Sequence, residues 1–517
     1  MSKPWRTVVK WHFIAKIVFN RFKGFLSNTV ERYLKPKEKT TVVIEQGFLQ
    51  GTHYKTLASN KPYVRFLGIP YAKPPVGKLR FKPPVKHPGW SGTLKAFSVG
   101  NMSMQYSILE KKVVGSEDCL YLNIFVPLEE QNEKKAVMVF IHGGMYYNGS
   151  GSLDFYSPDY MIDENVIVVT INYRLNAFGF LNFDIDECPG NMGLKDQLFA
   201  IKWVKANIYA FGGDDQNITI FGESSGSASV HCHILSPLSK GLFQKAIMQS
   251  GCMFNPWALN QKHIDSAFKL AYKLGCKAYE SKEAVRYLLK IPAIDIVKLI
   301  TIDAKTNPNY DFVPSVESEM VREKFLPAHP DILVKTASTV PLVIGINNME
   351  GLLAFGDPKI MKILKDTDEI YKLFRSQKGY TKEIVNSIKN FYFNEWNTES
   401  GSTKLENICA CHADELSYLF YGRLFGFAPK PNSPELRMCK ILSKLWTNFA
   451  KTGNPNSHDL KFEWKNTRAE EPKYLSLDGD NTLMVDGLLN SSRMRFWENI
   501  SDTIGSEQKQ NYDSFLR

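Results

Sequence analysis

The chain has 517 residues, with 64 Lys plus Arg against 53 Asp plus Glu, a formal charge of +11, and 44% hydrophobic residues. This is ordinary globular composition and excludes a fibre or a disordered tail protein. Eight cysteines in such a length are too few for a disulfide scaffold, and no uninterrupted apolar run approaches the roughly 20 residues needed to cross a bilayer.

Residues 1–40 come first and hold much of the charge. Ten Lys or Arg stand there against Glu31 and Glu38, a net +8, which leaves +3 for the other 477 residues. A nucleic-acid surface needs its cations on the folded body, so no nucleic-acid partner is expected. Val8, Trp11, Ala15, Val18, Phe22 and Phe25 recur at helical spacing, flanked by Lys10, Lys16, Arg21 and Lys23. Lys10 and Lys16 interrupt the apolar core that a secretory signal requires. Two readings fit the segment equally. One is a helix lying in a membrane or lipid-droplet interface, and the other is a helix packed on the body of the protein.

From residue 41 to 517 the pattern is that of one large domain. Short β-rich runs at Thr41–Ile44, Ala136–Ile141, Val166–Asn172, Ile218–Phe221, Ala246–Ser250 and Pro341–Ile346 alternate with helical stretches such as Asp196–Tyr209. Strands alternating with helices predict a mainly parallel sheet covered on both faces. The five prolines between Pro70 and Pro84 read as an ordered surface loop.

Two stretches carry chemistry. Asn217 to Ala228 contains Gly222-Glu223-Ser224-Ser225-Gly226 between a β run and a small-residue helix. Such a strand–turn–helix pushes the Ser224 side chain outward, and its glycines remove Cβ atoms that would collide. Ser224 would also lie near a helix N-terminus, which favours developing negative charge. Upstream, Val137-Met138-Val139-Phe140-Ile141 runs into His142-Gly143-Gly144-Met145. The N–H groups of Gly143, Gly144 and Ser225 are candidates for one oxyanion hole, each such donor contributing roughly 3 kcal/mol to a transition state. His142 is expected to hold this loop rather than act as a base.

With these motifs the chain resembles the type-B carboxylesterases of the α/β-hydrolase fold, and within them the insect α-esterases. Further matches are Gly68-Ile69-Pro70-Tyr71-Ala72, Ser116 to Asn123, Asn172-Tyr173-Arg174-Leu175, Gly190 to Gln197, and Phe211-Gly212-Gly213-Asp214. The resemblance implies an α/β fold with a mainly parallel central sheet flanked by helices. It also implies a serine esterase hydrolysing lipophilic carboxylic esters, of xenobiotic or lipid origin, through an acyl-enzyme on Ser224. It directs attention to Glu350, in Asn348-Met349-Glu350-Gly351, as the acid, and to His412, in Cys411-His412-Ala413-Asp414-Glu415-Leu416, as the base. Ser229 and Ser250 would support the site, and Trp257 would lie near the acyl pocket unless it is simply a core aromatic. No cofactor or metal is implied.

Three departures stand out. Ser225 replaces the usual Ala, and Met145 follows the two glycines where many members have a third, narrowing the pocket mouth. Only 61 residues separate Glu350 from His412, fewer than in the family, and the polar run from Asn394 to Asn407 replaces its buried strand. The sheet is therefore expected to be one strand short before the histidine loop. This opens an alternative, a catalytically impaired protein that binds or sequesters esters.

His231-Cys232-His233 and Cys409-x-Cys411-His412 lack a complementary ligand pair for zinc. Gly149-Ser150-Gly151-Ser152 lacks the ending of a phosphate loop. No cysteine precedes Cys119, whose counterpart in secreted relatives closes a disulfide, and a glycan on Asn148 would obstruct the cleft. Both points favour an intracellular, cytoplasmic location, peripheral on the ER membrane or lipid droplets if residues 1–40 lie on a lipid surface. The oligomeric state is not legible.

Overall fold

The computed structural model describes residues 38–515 apart from 108–109, 130–132, 307–310, 338, 352–365, 375–379, 394–409 and 424–427. The amphipathic pattern of the first 37 residues and the polar run before His412 lie outside the described residues. Chain contacts divide the molecule into two units. One comprises Met1–Ile346 with Leu416–Ser457, the other Asn347–Glu415 with His458–Arg517.

The first unit is built on a ten-stranded sheet. Its strands in chain order are β1 (Lys39–Ile44), β2 (Gly47–Lys55), β3 (Pro62–Pro70), β4 (Thr93–Lys95), β5 (Tyr121–Pro127), β6 (Lys135–Ile141), β7 (Ile167–Ile171), β8 (Gly213–Glu223), β9 (Lys245–Gln249) and β10 (Leu342–Gly345). In space they run β1-β2-β3-β5-β7-β6-β8-β9-β10, with β4 beside β2. The pairings from β7 through β6, β8 and β9 to β10 are parallel, whereas β1, β2, β3, β5 and β7 pair antiparallel. All six predicted β runs are present. β2, β3 and β5 lie outside those runs, because Gly51, Arg65 and Asn123 break the apolar pattern within them. Among the described residues no strand follows β10 on its outer edge.

The central strands are buried on both faces, as parallel strands between helical layers must be. Val137, Val139 and Ile141 of β6 join Ile218 and Ile220 of β8 in the main core. Phe140, from the alternate set, instead meets Phe221, Tyr156 and Phe420 at centroid distances of 4.6–5.0 Å. Helix α1 (Met192–Asn207) covers the span predicted at Asp196–Tyr209, with Tyr209 passing into a short 3-10 turn. It buries two ion pairs, Arg174–Asp196 at 2.6 Å and Lys195–Glu317 at 2.5 Å. The proline-rich stretch differs from a plain surface loop, since it sinks Tyr71, Arg80 and Phe81 into the interior. There Arg80 Nε donates to Glu117 at 2.6 Å and its Nη1 to the carbonyl oxygen of Ile291 at 2.6 Å.

Helix α2 (Ser225–Leu235) follows β8, and helix α3 (Pro434–Thr452) completes this unit. The second unit contains helix α4 (Lys382–Phe393). It packs Ile384 and Ile388 on Ile500 of helix α5 (Ser491–Phe515), with Phe391 stacked on Phe496 at 4.0 Å.

Candidate active site

In the parallel half, the chain passes from β6 to β7 on one side and then from β7 across to β8 on the other side of β6, so these connections run in opposite directions. Such a reversal opens a crevice beyond the carboxyl ends of the strands. Two candidate segments follow those ends directly, Gly143-Gly144 after β6 and Ser224 after β8.

Ser224 joins β8 to α2 with φ 58° and ψ −123°, a conformation costing a residue with a Cβ about 1–3 kcal/mol. It is held from both sides. Ser224 N–H donates to the Gln249 carbonyl oxygen at 2.8 Å, and Ala228 N–H donates to the Ser224 carbonyl oxygen at 2.9 Å. The helix can begin this close to β6 only because Gly226 has no side chain, since a Cβ there would collide with the Ile141 carbonyl oxygen.

The turn after β6 passes beside this serine, and a Cβ on Gly143 would lie 3.1 Å from Ser224 Cβ. Three consecutive residues then take positive φ, Gly144 at 111°, Met145 at 59° and Tyr146 at 63°. Tyr147 and Asn148 N–H both donate to the Gly144 carbonyl oxygen, at 3.0 and 2.9 Å. His142 braces the turn. Its Nδ1–H donates to the Gly143 carbonyl oxygen at 2.8 Å, its ring stacks on Tyr173 at 4.4 Å, and Tyr173 Oη donates to the His142 carbonyl oxygen at 2.8 Å. Burial lowers the His142 pKa to about 4, so the ring is neutral near neutral pH.

Ser229 lies one turn into α2, where its Oγ donates to the Ser225 carbonyl oxygen at 2.9 Å and accepts from Gln197 Nε2 at 3.2 Å. Gln197 Oε1 pairs with His233 Nε2 at 3.2 Å, and His233 Nδ1 with Ser239 Oγ at 2.8 Å. Sequence inspection missed Gln197 and His233 as supports of this helix; the spacing of Gln197 on a helix interior was the available signal. Ser250 follows β9 with φ 55° and donates its N–H to the Gly345 carbonyl oxygen at 2.9 Å. Trp257 is half-buried against the main core. His231 accepts Met253 N–H, the Cys232 thiol meets Met253 Sδ and His233 pairs with Ser239, and among the described residues no group of three metal-ligating side chains is gathered.

In the second unit, His412 Nδ1 and Glu350 Oε2 are 2.5 Å apart. The other Glu350 oxygen accepts Asn347 N–H at 2.7 Å, so both carboxylate oxygens are aimed. The two loops are also joined by Met349 N–H to the Ala410 carbonyl oxygen at 3.0 Å and by Asn347 Nδ2 to the Cys411 carbonyl oxygen at 2.7 Å. Arg493 of α5 donates to the Asn348 carbonyl oxygen at 2.9 Å. Asn347 and Arg493 are further supports that no sequence motif marks.

The Carboxylesterase family model matches residues 38–409 and 381–497. A juvenile hormone esterase of Tribolium castaneum is 32% identical over 85% of this chain and 88% of its own. A carboxylic ester hydrolase of Bombus ignitus is 32% identical over 92% of this chain and 96% of its own. The human bile salt-activated lipase is also 32% identical, over 88% and 69% of the two chains. The crystal structure of the Manduca sexta juvenile hormone esterase, with OTFP covalently attached, superposes with a TM-score of 0.77 at 25% identity, covering 90% of this chain and all of that one. These hydrolase relatives lend the sequestering alternative no support. The fold is that of the α/β-hydrolases, and the chain belongs to the carboxylesterase family, as a carboxylic ester hydrolase acting on small-molecule esters.

Proposed function

We propose that Ser224 is the nucleophile of this esterase, with His412 as general base and Glu350 as the acid that orients it. His412 takes the Ser224 proton as the hydroxyl attacks the ester carbonyl, then returns it to the departing alcohol. A second cycle with water releases the acid. Glu350 fixes the tautomer through Nδ1, which makes Nε2 the nitrogen of proton transfer, and it stabilises the imidazolium. The N–H groups of Gly143, Gly144 and Ser225 receive the oxyanion, and Met145 narrows the mouth of the acyl pocket. The observation that carries this reading is the Glu350–His412 pair at 2.5 Å, formed although the segment between the two residues is short.

The substrates we infer are lipophilic esters of xenobiotic or lipid origin, which makes detoxification one role open to it. The compartment we infer is intracellular. Cys119 supports this, because it is a buried free thiol with no cysteine before it in the sequence to pair with. A p-nitrophenyl ester tests the mechanism. One equivalent of p-nitrophenol should be released in a burst, and Ser224→Ala should abolish the burst and lower kcat by about 10⁵-fold. A fluorophosphonate should label the unaltered protein and not the variant. Unlabelled wild-type protein, or turnover that survives Ser224→Ala, would refute the assignment.

A further inference from the structure

The oxyanion turn has an unusual load. Met145 and Tyr146 both occupy left-handed backbone behind Gly144, where a side chain with a Cβ is disfavoured. Something must hold the turn in place. Tyr146 is fully buried, its ring meets Phe180 at 4.9 Å, and its carbonyl oxygen accepts Asn176 N–H at 2.7 Å. Its N–H donates to the side chain of Ser225, at 3.3 Å from Oγ. At the other end of the turn the Tyr173 phenol donates to the His142 carbonyl oxygen at 2.8 Å. One buried hydroxyl thus holds residue 146, at the far end of the turn carrying Gly143 and Gly144, to the first residue of α2.

We propose that the Ser225 hydroxyl is a positioning group for ester hydrolysis, a tether that fixes the Gly143-Gly144 turn relative to the first residue of α2. The inference rests on the oxyanion-hole reading above and deepens it. Ser225 offers its own backbone N–H to the hole while its side chain sets where the other two donors stand. The tether matters most because Met145 strains the turn, so the two residues act as a coupled pair. Ser225→Ala keeps the backbone N–H and removes only the tether.

The test is a double-mutant cycle with Ser225→Ala and Met145→Gly. A donor misplacement of 1 Å lowers a rate by about 100-fold, and a slackened turn is expected to lower kcat in Ser225→Ala by about tenfold. KM should stay within about twofold, and a trifluoromethyl ketone that forms a tetrahedral adduct should lose affinity by the same factor as kcat. With Met145→Gly relieving the strain, the further substitution Ser225→Ala should lower kcat by less than about threefold. Unchanged kcat and ketone affinity in Ser225→Ala would overturn the tether, as would an equal loss in both backgrounds. Circular dichroism identifies a folding failure in the single variant, and the double variant then decides, since poor turnover there in folded protein also overturns the coupling. Fluorophosphonate labelling separates the two levels. Labelled wild-type protein with an unaffected Ser225→Ala variant ends the tether alone, whereas unlabelled wild-type protein ends both.

Discussion

At the scale of single residues, the site depends on side chains that are missing as much as on those present. Gly226 is the sharpest case. A methyl group there meets the Ile141 carbonyl oxygen, so α2 must retreat from β6 and carry the Ser224 backbone with it. Gly226→Ala is expected to lower kcat about 100-fold or more, read as slower fluorophosphonate labelling of folded protein. Buried charges set a second constraint. Arg174 and Asp196 are almost wholly buried, and Asp196 accepts from Nε and Nη2 at 2.7 and 2.6 Å. Asp196→Asn leaves the guanidinium without a counter-charge and should cost about 3–5 kcal/mol in a urea titration, as broken buried pairs do.

Two buried histidines fix the response to acid. Burial lowers His142 to about 4 and His233 to about 3, from an ordinary 6.5. Between those values and 6.5 the unfolded chain binds more protons than the folded one. Their contribution is therefore fully present above about pH 6.5 and is lost as the pH falls, at about 1.4 kcal/mol per pH unit for each histidine. The urea midpoint should drop between pH 6.5 and 5, and His233→Gln should make that slope shallower. An unchanged slope in the variant would show that His233 is not buried neutral.

At the scale of elements, helix α3 illustrates how local signals meet the core. Ser433 caps it by accepting Leu436 N–H at 3.2 Å, Pro434 opens it, and Leu442, Leu445, Trp446 and Phe449 face inward. Ser433→Ala should lower stability by about 1 kcal/mol, with activity unchanged. Strand β10 has the opposite character, exposing Leu342 and Ile344 on one face. Exposed apolar edges promote association, so Ile344→Lys is expected to raise the onset temperature of aggregation measured by light scattering.

These elements also mark what the sequence made legible. The six apolar runs, the elbow around Ser224 and the glycine turn stood out because parallel strands are uniformly apolar and the turns between them need glycine. β2 and β3 did not, since Gly51, His53 and Arg65 interrupt their apolar pattern; Arg65 is buried all the same, its side chain donating to the Tyr63 hydroxyl. The Ser225 hydroxyl, the Gln197–His233 pair and Asn347 were hidden for a different reason. Each acts through a partner remote in the chain, and nothing local distinguishes a buried polar group with a partner from an exposed one. The motif resemblance, not periodicity, singled out Glu350 and His412.

At the scale of the whole molecule, the net charge is concentrated at one end of the sequence. The +8 of residues 1–40 lies in an amphipathic pattern, and each cation near an anionic surface contributes about 1 kcal/mol to binding. Removing residues 1–37, which stops short of β1, should weaken sedimentation with phosphatidylserine vesicles by at least about tenfold while leaving ester hydrolysis intact; equal binding of the truncated protein would refute an interfacial helix. No helix among the described residues is long and apolar enough to cross a membrane.

The first unit is discontinuous, taking Met1–Ile346 and then Leu416–Ser457, and this has a consequence for biosynthesis. Phe420 fills the face formed by Phe140 and Phe221, and Trp446 Nε1 donates to Gln249 Oε1 at 3.1 Å behind the serine elbow. A ribosome delivers those plugs only after it has made the loops bearing Glu350 and His412. The nascent sheet therefore waits with an open apolar flank until most of the polypeptide has emerged, a window in which exposed apolar surface favours aggregation and chaperone protection is expected to raise the yield of mature enzyme.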